Sequence, residues 1–294
     1  VTLKIPKNWN VFPKKQDVKI ERAGATKEFI FDVTPPKGSN TGILSALVND
    51  GIRDYTMTLE EVDYPHISKQ YMLSPNETIA SKIDLKSKVS KVGYLNGAGD
   101  KVAESLRNIG INVTEFNVDE LRLESLLSFP CLIIGIRAFN VHKKLTFKNQ
   151  ILWDYVQQGG TIIIQYNTSR GLDSSIISPY LIKLSRDRVT DENAIVYFLK
   201  KDHPLLNEPN KITQEDFKGW VQERGLYFAD SWDEHYQPLL SMKDKGEQSK
   251  RGSLLVANYG KGKIIFTGLS FFRELPAGVP GAYRLFINLI SYGQ

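Results

Sequence analysis

Lys91-Val92-Gly93-Tyr94-Leu95-Asn96-Gly97-Ala98-Gly99-Asp100 opens the stretch that decides the fold. A short apolar run ends in a Gly-rich turn, and the spacing predicts a helix over 101–108, stopped by Gly110. The alternation then repeats: a strand over 112–116, a helix over 118–128, a strand over 131–136, a helix over 149–157 ending at Gly159-Gly160, and a strand over 161–166. Cys131-Leu132-Ile133-Ile134 and Thr161-Ile162-Ile163-Ile164 are apolar without interruption, the mark of parallel strands covered on both faces. Residues 91–294 are therefore expected to form an α/β domain, an open and mostly parallel sheet flanked by helices.

Downstream, strands over 253–259 and 263–267 form a hairpin across Gly260-Lys261-Gly262, and a helix over 282–291 closes the domain. The region between is less regular, with strands expected over 194–199, 226–228 and 238–242 and a short helix over 213–218 capped by Thr213. Upstream, residues 1–63 read as β. Runs over 2–5, 17–22, 27–33, 43–48 and 53–60 are separated by Pro6, Pro13, Gly24, Pro35-Pro36-Lys37-Gly38 and Asn49-Asp50-Gly51. Asp50-Gly51 is a hairpin signal, and the whole is expected to be a small β-sandwich with Trp9 in its core. Residues 64–90, beginning at Tyr64-Pro65, read as a linker and lead-in.

The chain has 294 residues, 41% hydrophobic and 24% charged, which are globular proportions. No run of 18 apolar residues exists, so no transmembrane helix is expected. A single cysteine, Cys131, excludes a disulfide framework, and four scattered histidines supply no metal-ligand spacing. The net charge of +5 is thin and its clusters are short, which argues against nucleic acid. Gly97-Ala98-Gly99 lacks the third glycine of a dinucleotide fingerprint, since Val102 stands there, so no cofactor is expected. The chain opens on Val1-Thr2-Leu3 and reads as a piece of a longer protein or a processed product.

In an open parallel sheet, ligands bind outside the carboxyl ends of the strands. That rule selects four loops, 96–100, 137–140, 166–170 and 270–273, and the candidate ligand-binding residues Asp100, Arg137, Asn140, Tyr166, Asn167 and Arg273. The same side chains would equally serve to cap helices and tie loops together. A second group, Arg186, Arg188, Asp191, Glu192, Trp220, Glu223 and Trp232, mixes aromatics with both charges, as sugar recognition or an ion-paired loop network would. Cys131 begins a buried strand at the end away from those loops and reads as core, and no Gly-x-Ser-x-Gly elbow occurs. The alternative to a binding module is a hydrolase pairing Asp191 or Glu223 with His203 or His235.

Several long strings carry a family resemblance. They run from Gly93 to Asp100, from Gly135 to Asn140, from Gly160 through Thr168, from Ser185 to Asn193, and from Leu269 through Arg273-Glu274-Leu275-Pro276 to Ala282. Across nearly its whole length the chain resembles the C-terminal region of Bacteroidetes-type LmbE-related or PIG-L family deacetylases. The resemblance implies an Ig-like accessory sandwich followed by a class I glutamine amidotransferase-like, flavodoxin-like domain. It also implies a partner, the N-terminal deacetylase domain of a longer chain, and a periplasmic or secreted location. The deacetylase's zinc motif, His-Pro-Asp-Asp, is not carried here, because His203-Pro204 continues into Leu205-Leu206. The amidotransferase nucleophile is a Cys after a central strand, where this chain has Tyr166-Asn167. The region is thus expected to be non-catalytic, without metal, and to hold a glycan-like or other small ligand.

Overall fold

The computed structural model describes residues 1–38 and 40–294, and these divide into two compact units, Val1–Asp84 and Leu85–Gln294. Among the described residues the first is built from eight strands: β1 (Thr2–Lys4), β2 (Asn10–Phe12), β3 (Asp32–Thr34), β4 (Asn40–Asn49), β5 (Asp54–Tyr55), β6 (Met57–Val62), β7 (Gln70–Pro75) and β8 (Glu77–Lys82). β4 is the spine, pairing antiparallel with β1, β5 and β8, while β2–β3 and β6–β7 form separate ribbons. The Asp50-Gly51 turn does join β4 to β5, held by the Asp50 carboxylate, which accepts from the Ile52 and Arg53 N–H groups at 2.8 Å each. Trp9 is buried, its indole N–H donating to Asn40 Oδ1 at 2.7 Å.

Two expectations change here. No strand forms over 17–22, and of 27–33 only Asp32 and Val33 enter one; Ile20 and Ile30 are exposed, so these runs have no face to bury. The stretch read as a lead-in holds β7 and β8, and the first unit reaches Asp84. β8 pairs antiparallel with β4 over its whole length, with Ile79 opposite Ile43 and both side chains exposed.

The second unit contains a seven-stranded sheet in the order β10-β9-β11-β12-β19-β18-β16. Its parallel members are β9 (Lys91–Leu95), β10 (Asn112–Phe116), β11 (Cys131–Ile134), β12 (Thr161–Ile164) and β19 (Gly262–Thr267). β18 (Leu254–Tyr259) runs antiparallel to β19, and β16 (Gln237–Pro238) antiparallel to β18. The helices are α1 (Val102–Asn108), α2 (Leu123–Leu126), α3 (Ala138–Val141), α4 (Leu145–Gln157), α5 (Pro204–Asn207), α6 (Phe271–Glu274) and α7 (Pro280–Ser291). α4 packs on β12 and β19, and α7 packs on β11 and β12. One core runs through Leu132, Ile134, Ile162, Ile164 and Phe266 beneath Leu152 and Val156 of α4. Every residue of β11 and β12 is buried, as their unbroken apolar sequences require. No helix among the described residues is long and apolar enough to cross a membrane.

The irregular middle carries the remaining strands, β13 (Ile182–Leu184), β14 (Tyr197–Phe198), β15 (Ala229–Trp232) and β17 (Leu240–Ser241). The strand expected over 226–228 is displaced to β15, because Tyr227 adopts a left-handed φ of 52° that no strand accommodates.

Candidate functional site

The order β10-β9-β11-β12 reverses direction between β9 and β11, the place where doubly wound sheets open a ligand crevice. Here that place is sealed by backbone. Gly135 N–H donates to the Leu95 carbonyl and Ala98 N–H to the Ile136 carbonyl, each at 2.8 Å. A Cβ on Gly97 would collide with the carbonyl oxygen of Ile136, and one on Gly135 with the backbone of Gly97 and Leu95. Gly97, part of the triplet tested as a dinucleotide fingerprint, thus serves with Gly135 to let two loops press together. Asp100 finishes the seam. Its carboxylate accepts from the Tyr94 hydroxyl at 2.7 Å, from Val102 N–H at 2.9 Å and from Ile136 N–H at 3.4 Å. Burial, and then the Asp100 charge, hold the Tyr94 hydroxyl well above its ordinary pKa.

The next pair of loops is stitched by side-chain amides. Arg137 N–H donates to the Tyr166 carbonyl at 2.8 Å, and Phe139 N–H to Asn167 Oδ1 at 3.1 Å. Asn140 Nδ2 donates to the Thr168 carbonyl at 3.0 Å while its Oδ1 accepts from Thr168 N–H at 2.9 Å. Asn167 is wholly buried and also donates to the Gln165 carbonyl at 3.0 Å. Both amides are engaged in holding the loop after β11 to the loop after β12.

Beyond this stitching, side chains face one another. The Tyr166 ring stacks on Tyr227 (centroids 5.9 Å apart, planes within 8°) and tilts against Phe272 at 5.1 Å. The Arg273 guanidinium lies 4.8 Å over the Phe272 ring, and its Nε donates to Glu223 Oε1 at 2.9 Å. Burial raises the pKa of the Tyr166 hydroxyl, and the charges of Arg137 and Arg273 oppose that rise. Arg137, Gln222 and Tyr227, with φ of 55°, 72° and 52°, are three of the four non-glycine residues in the left-handed region among those described. Such backbone is costly and persists where surrounding structure holds it.

Beneath this cluster lies a buried charge layer. Glu274 accepts from Val221 N–H at 2.9 Å and from the Ser270 hydroxyl at 3.1 Å. Burial pushes its carboxyl up to about 7 despite those bonds and the nearby Arg224 and Arg273. Arg224, lowered to about 10 by burial, donates to the carbonyls of Ala194 and Phe217 and stacks on Phe217 and Trp220.

The second group of candidates disperses. Trp220 is enclosed by Phe217 and Phe271, its indole N–H donating to the Asp216 carbonyl at 2.9 Å. Trp232 is half-buried against the sheet core, Glu192 is half-exposed, and Arg186 and Arg188 are exposed. Asp191 accepts from Asn193 N–H at 2.8 Å. Only Glu223 joins the Tyr166 cluster. The hydrolase pairing finds other partners: His203 Nδ1 caps α5 by accepting from Leu205 N–H at 3.2 Å, and His235 bonds Asp233 and stacks on Tyr180. Cys131 is fully buried, and burial drives its thiol pKa far up, as an inert core residue requires. Tyr227 and Phe272 belong to the cluster, with Glu274 beneath it, although the sequence does not single them out; Phe272 and Glu274 flank Arg273, and Tyr227 lies inside a run that reads as strand.

Two hollows flank the sheet edge. One of about 690 Å³ is bordered by Asn117, Asp119, His142 and Lys144, and one of about 340 Å³ by Asp100, Glu104, Arg107 and Glu115. An ion pair of 2.7 Å occurs within each border, Lys144–Asp119 and Arg107–Glu115.

No protein-family model matches the chain, and no curated protein does. Among solved structures it is similar to a putative GMP synthase subunit from Thermoplasma acidophilum, at 11% identity over 70% of this chain and 96% of that one (TM-score 0.44). It is similar also to PurLQS of Thermotoga maritima, at 11% identity over 70% and 100% (TM-score 0.45). A cytoplasmic protein of Salmonella typhimurium is a third, at 11% identity over 86% and 95% (TM-score 0.44).

Proposed function

We propose that this chain is the non-catalytic accessory region of a carbohydrate-active deacetylase of the LmbE-related or PIG-L kind. Its α/β unit, a glutamine amidotransferase-like scaffold without the nucleophile, would bind a glycan-like ligand at the carboxyl ends of β12 and β19. The small β unit would serve as spacer or docking module for the deacetylase domain. The observation that supports the binding reading is the meeting of the Tyr166, Tyr227 and Phe272 rings with the Arg273 guanidinium, beside Arg137, whose backbone N–H donates to the Tyr166 carbonyl. Aromatic faces cover the apolar face of a sugar, and guanidinium forks bond vicinal hydroxyls or a carboxylate. The hydroxyl–carboxylate pair beneath the cluster, Ser270 with Glu274, is fully buried, so binding is the chemistry the more exposed groups offer.

The test is calorimetric titration of the full chain with a glycan panel, repeated on Arg137→Ala and Arg273→Ala. Each substitution should weaken binding roughly ten- to a hundredfold, the loss of one charge-assisted contact. A glycan whose affinity ignores both changes, yet falls with Trp232→Ala, would move the site to the irregular middle region. No binding to any sugar would leave a purely structural partner of the deacetylase domain.

A further inference from the structure

Among the described helices only α5 is capped by an imidazole. His203 Nδ1 accepts from Leu205 N–H at 3.2 Å, so the ring is neutral there and carries its one proton on Nε2. Nε2 faces the Tyr292 hydroxyl at 3.4 Å, and the two rings tilt together with centroids 5.3 Å apart. The half-buried ring thus joins the start of α5 to the residue that follows α7. Leu205 is held on both sides, its N–H by His203 and its carbonyl by Asn288 Nδ2 at 2.9 Å. Asn288 Oδ1 accepts from Asn210 N–H at 3.0 Å, and Asn210 bonds both backbone groups of Lys86. A run of bonds therefore connects the imidazole to the chain's entry into the α/β unit.

An imidazole can cap a helix only while Nδ1 lacks a proton. A second proton makes that nitrogen a donor aimed at another donor, so the contact turns from attraction to repulsion. The groups facing the ring do nothing to welcome the charge. Lys263 of β19, whose Nζ lies 5.5 Å over the Tyr292 ring, is positive, and no described carboxylate pairs with the imidazole. α7, on which α5 packs, presents the uncharged Asn288. On the ring's own loop Lys200, Lys201 and Asp202 are exposed, and Glu208 past the end of α5 is taken by Lys88 at 3.0 Å. Burial first, and Lys263 second, hold the ring below its ordinary pKa of 6.5. We infer that His203 is an acid-sensitive latch, which fastens the first turn of α5 while neutral and on protonation releases Leu205 and loosens α5 on the last helix. Because the folded pKa is the lower one, the cap is complete above pH 6.5 and is lost as pH falls through the folded value.

The test is nuclear magnetic resonance on the full chain. At about pH 8 the ring nitrogen shifts of His203 should report the Nε2–H tautomer. Between about pH 7.5 and about pH 5 the hydrogen-exchange protection factor of the Leu205 amide should fall roughly five- to tenfold, the loss of one N-cap bond. In His203→Asn, whose amide oxygen caps without titrating, Leu205 protection should not change with pH. Acid acts in the opposite sense on the buried Glu274 carboxyl, so a local amide is read instead of the melting temperature. An Nδ1–H tautomer at high pH, Leu205 protection independent of pH in the parent, or an equal fall in His203→Asn would each overturn the latch. The first two are read on the parent protein alone, whatever the variant does to folding.

Discussion

Two halves of one sheet end have been put to opposite uses. Between β9 and β11, where the topology would open a crevice, Gly97 and Gly135 bring backbone against backbone and Asp100 closes the seam. Between β12 and β19 the strand-end loops carry Tyr166, Phe272 and Arg273, which meet one another and Tyr227 through side chains instead. Topology alone thus does not locate a site. Residue size at the strand ends decides how the loops meet: glycine permits backbone contact, and aromatic or basic residues meet through their side chains.

The strongest way to break this contrast is Gly97→Ala. The added methyl has only the Ile136 carbonyl and the Gly135 backbone to meet, so about 3–4 kcal/mol of stability should be lost by urea denaturation. A variant as stable as the parent would show that the loops are not pressed together. On the other side, burial raises the Glu274 carboxyl to about 7 in the folded protein, against an ordinary 4.5. Between those pH values the folded state holds a proton that the unfolded state has released. Stability contributed by that proton is complete below pH 4.5 and is lost as pH rises through 7, roughly 3 kcal/mol in all. Glu274→Gln should flatten that profile, since an amide can still accept from Val221 and bond Ser270; a slope unchanged in the variant would assign it to another group.

Smaller effects sharpen the boundary between the halves. Asn140→Ala removes two bonds to the Thr168 backbone and should cost about 1–2 kcal/mol in thermal unfolding. A glycan affinity that falls while stability does not would make Asn140 a ligand contact instead of a stitch. Smallest, and opposite in sign, is Arg137→Gly. It relieves a left-handed backbone at φ 55° and should stabilise the fold by about 1 kcal/mol while abolishing the binding attributed to that side chain. A destabilised variant would mean that the Arg137 side chain supports the fold.

Much of the sheet is legible in the sequence: β11 and β12 are apolar on both faces, and 112–116 and the 253–267 hairpin fall where the pattern puts them, within a residue. So is the Thr213 cap, where Thr213 N–H donates to Asp216 Oδ2 at 2.8 Å as a capping box requires. The four strand-end loops are legible through the topology rule. Which of their residues face one another is not, since Asn140 and Asn167 look no different in sequence from free ligands until their backbone partners are placed. Tyr227 is hidden inside a triplet that reads as strand. Runs such as 17–22 alternate convincingly but have no partner to pair with, and periodicity carries no information about partners.

The entry of the chain into its α/β unit has a mechanical meaning. Asn210 clamps Lys86 from both sides, accepting its N–H at 2.9 Å and donating to its carbonyl at 2.8 Å, and Asn288 of α7 holds Asn210 in turn. Lys88 N–H donates to the Ser291 hydroxyl near the end of the same helix at 3.2 Å. A pull applied to residues before Leu85 therefore does not peel β9 from the sheet one bond at a time. It loads a knot of amides on the last helix, so the tether and the C-terminal helix must yield together.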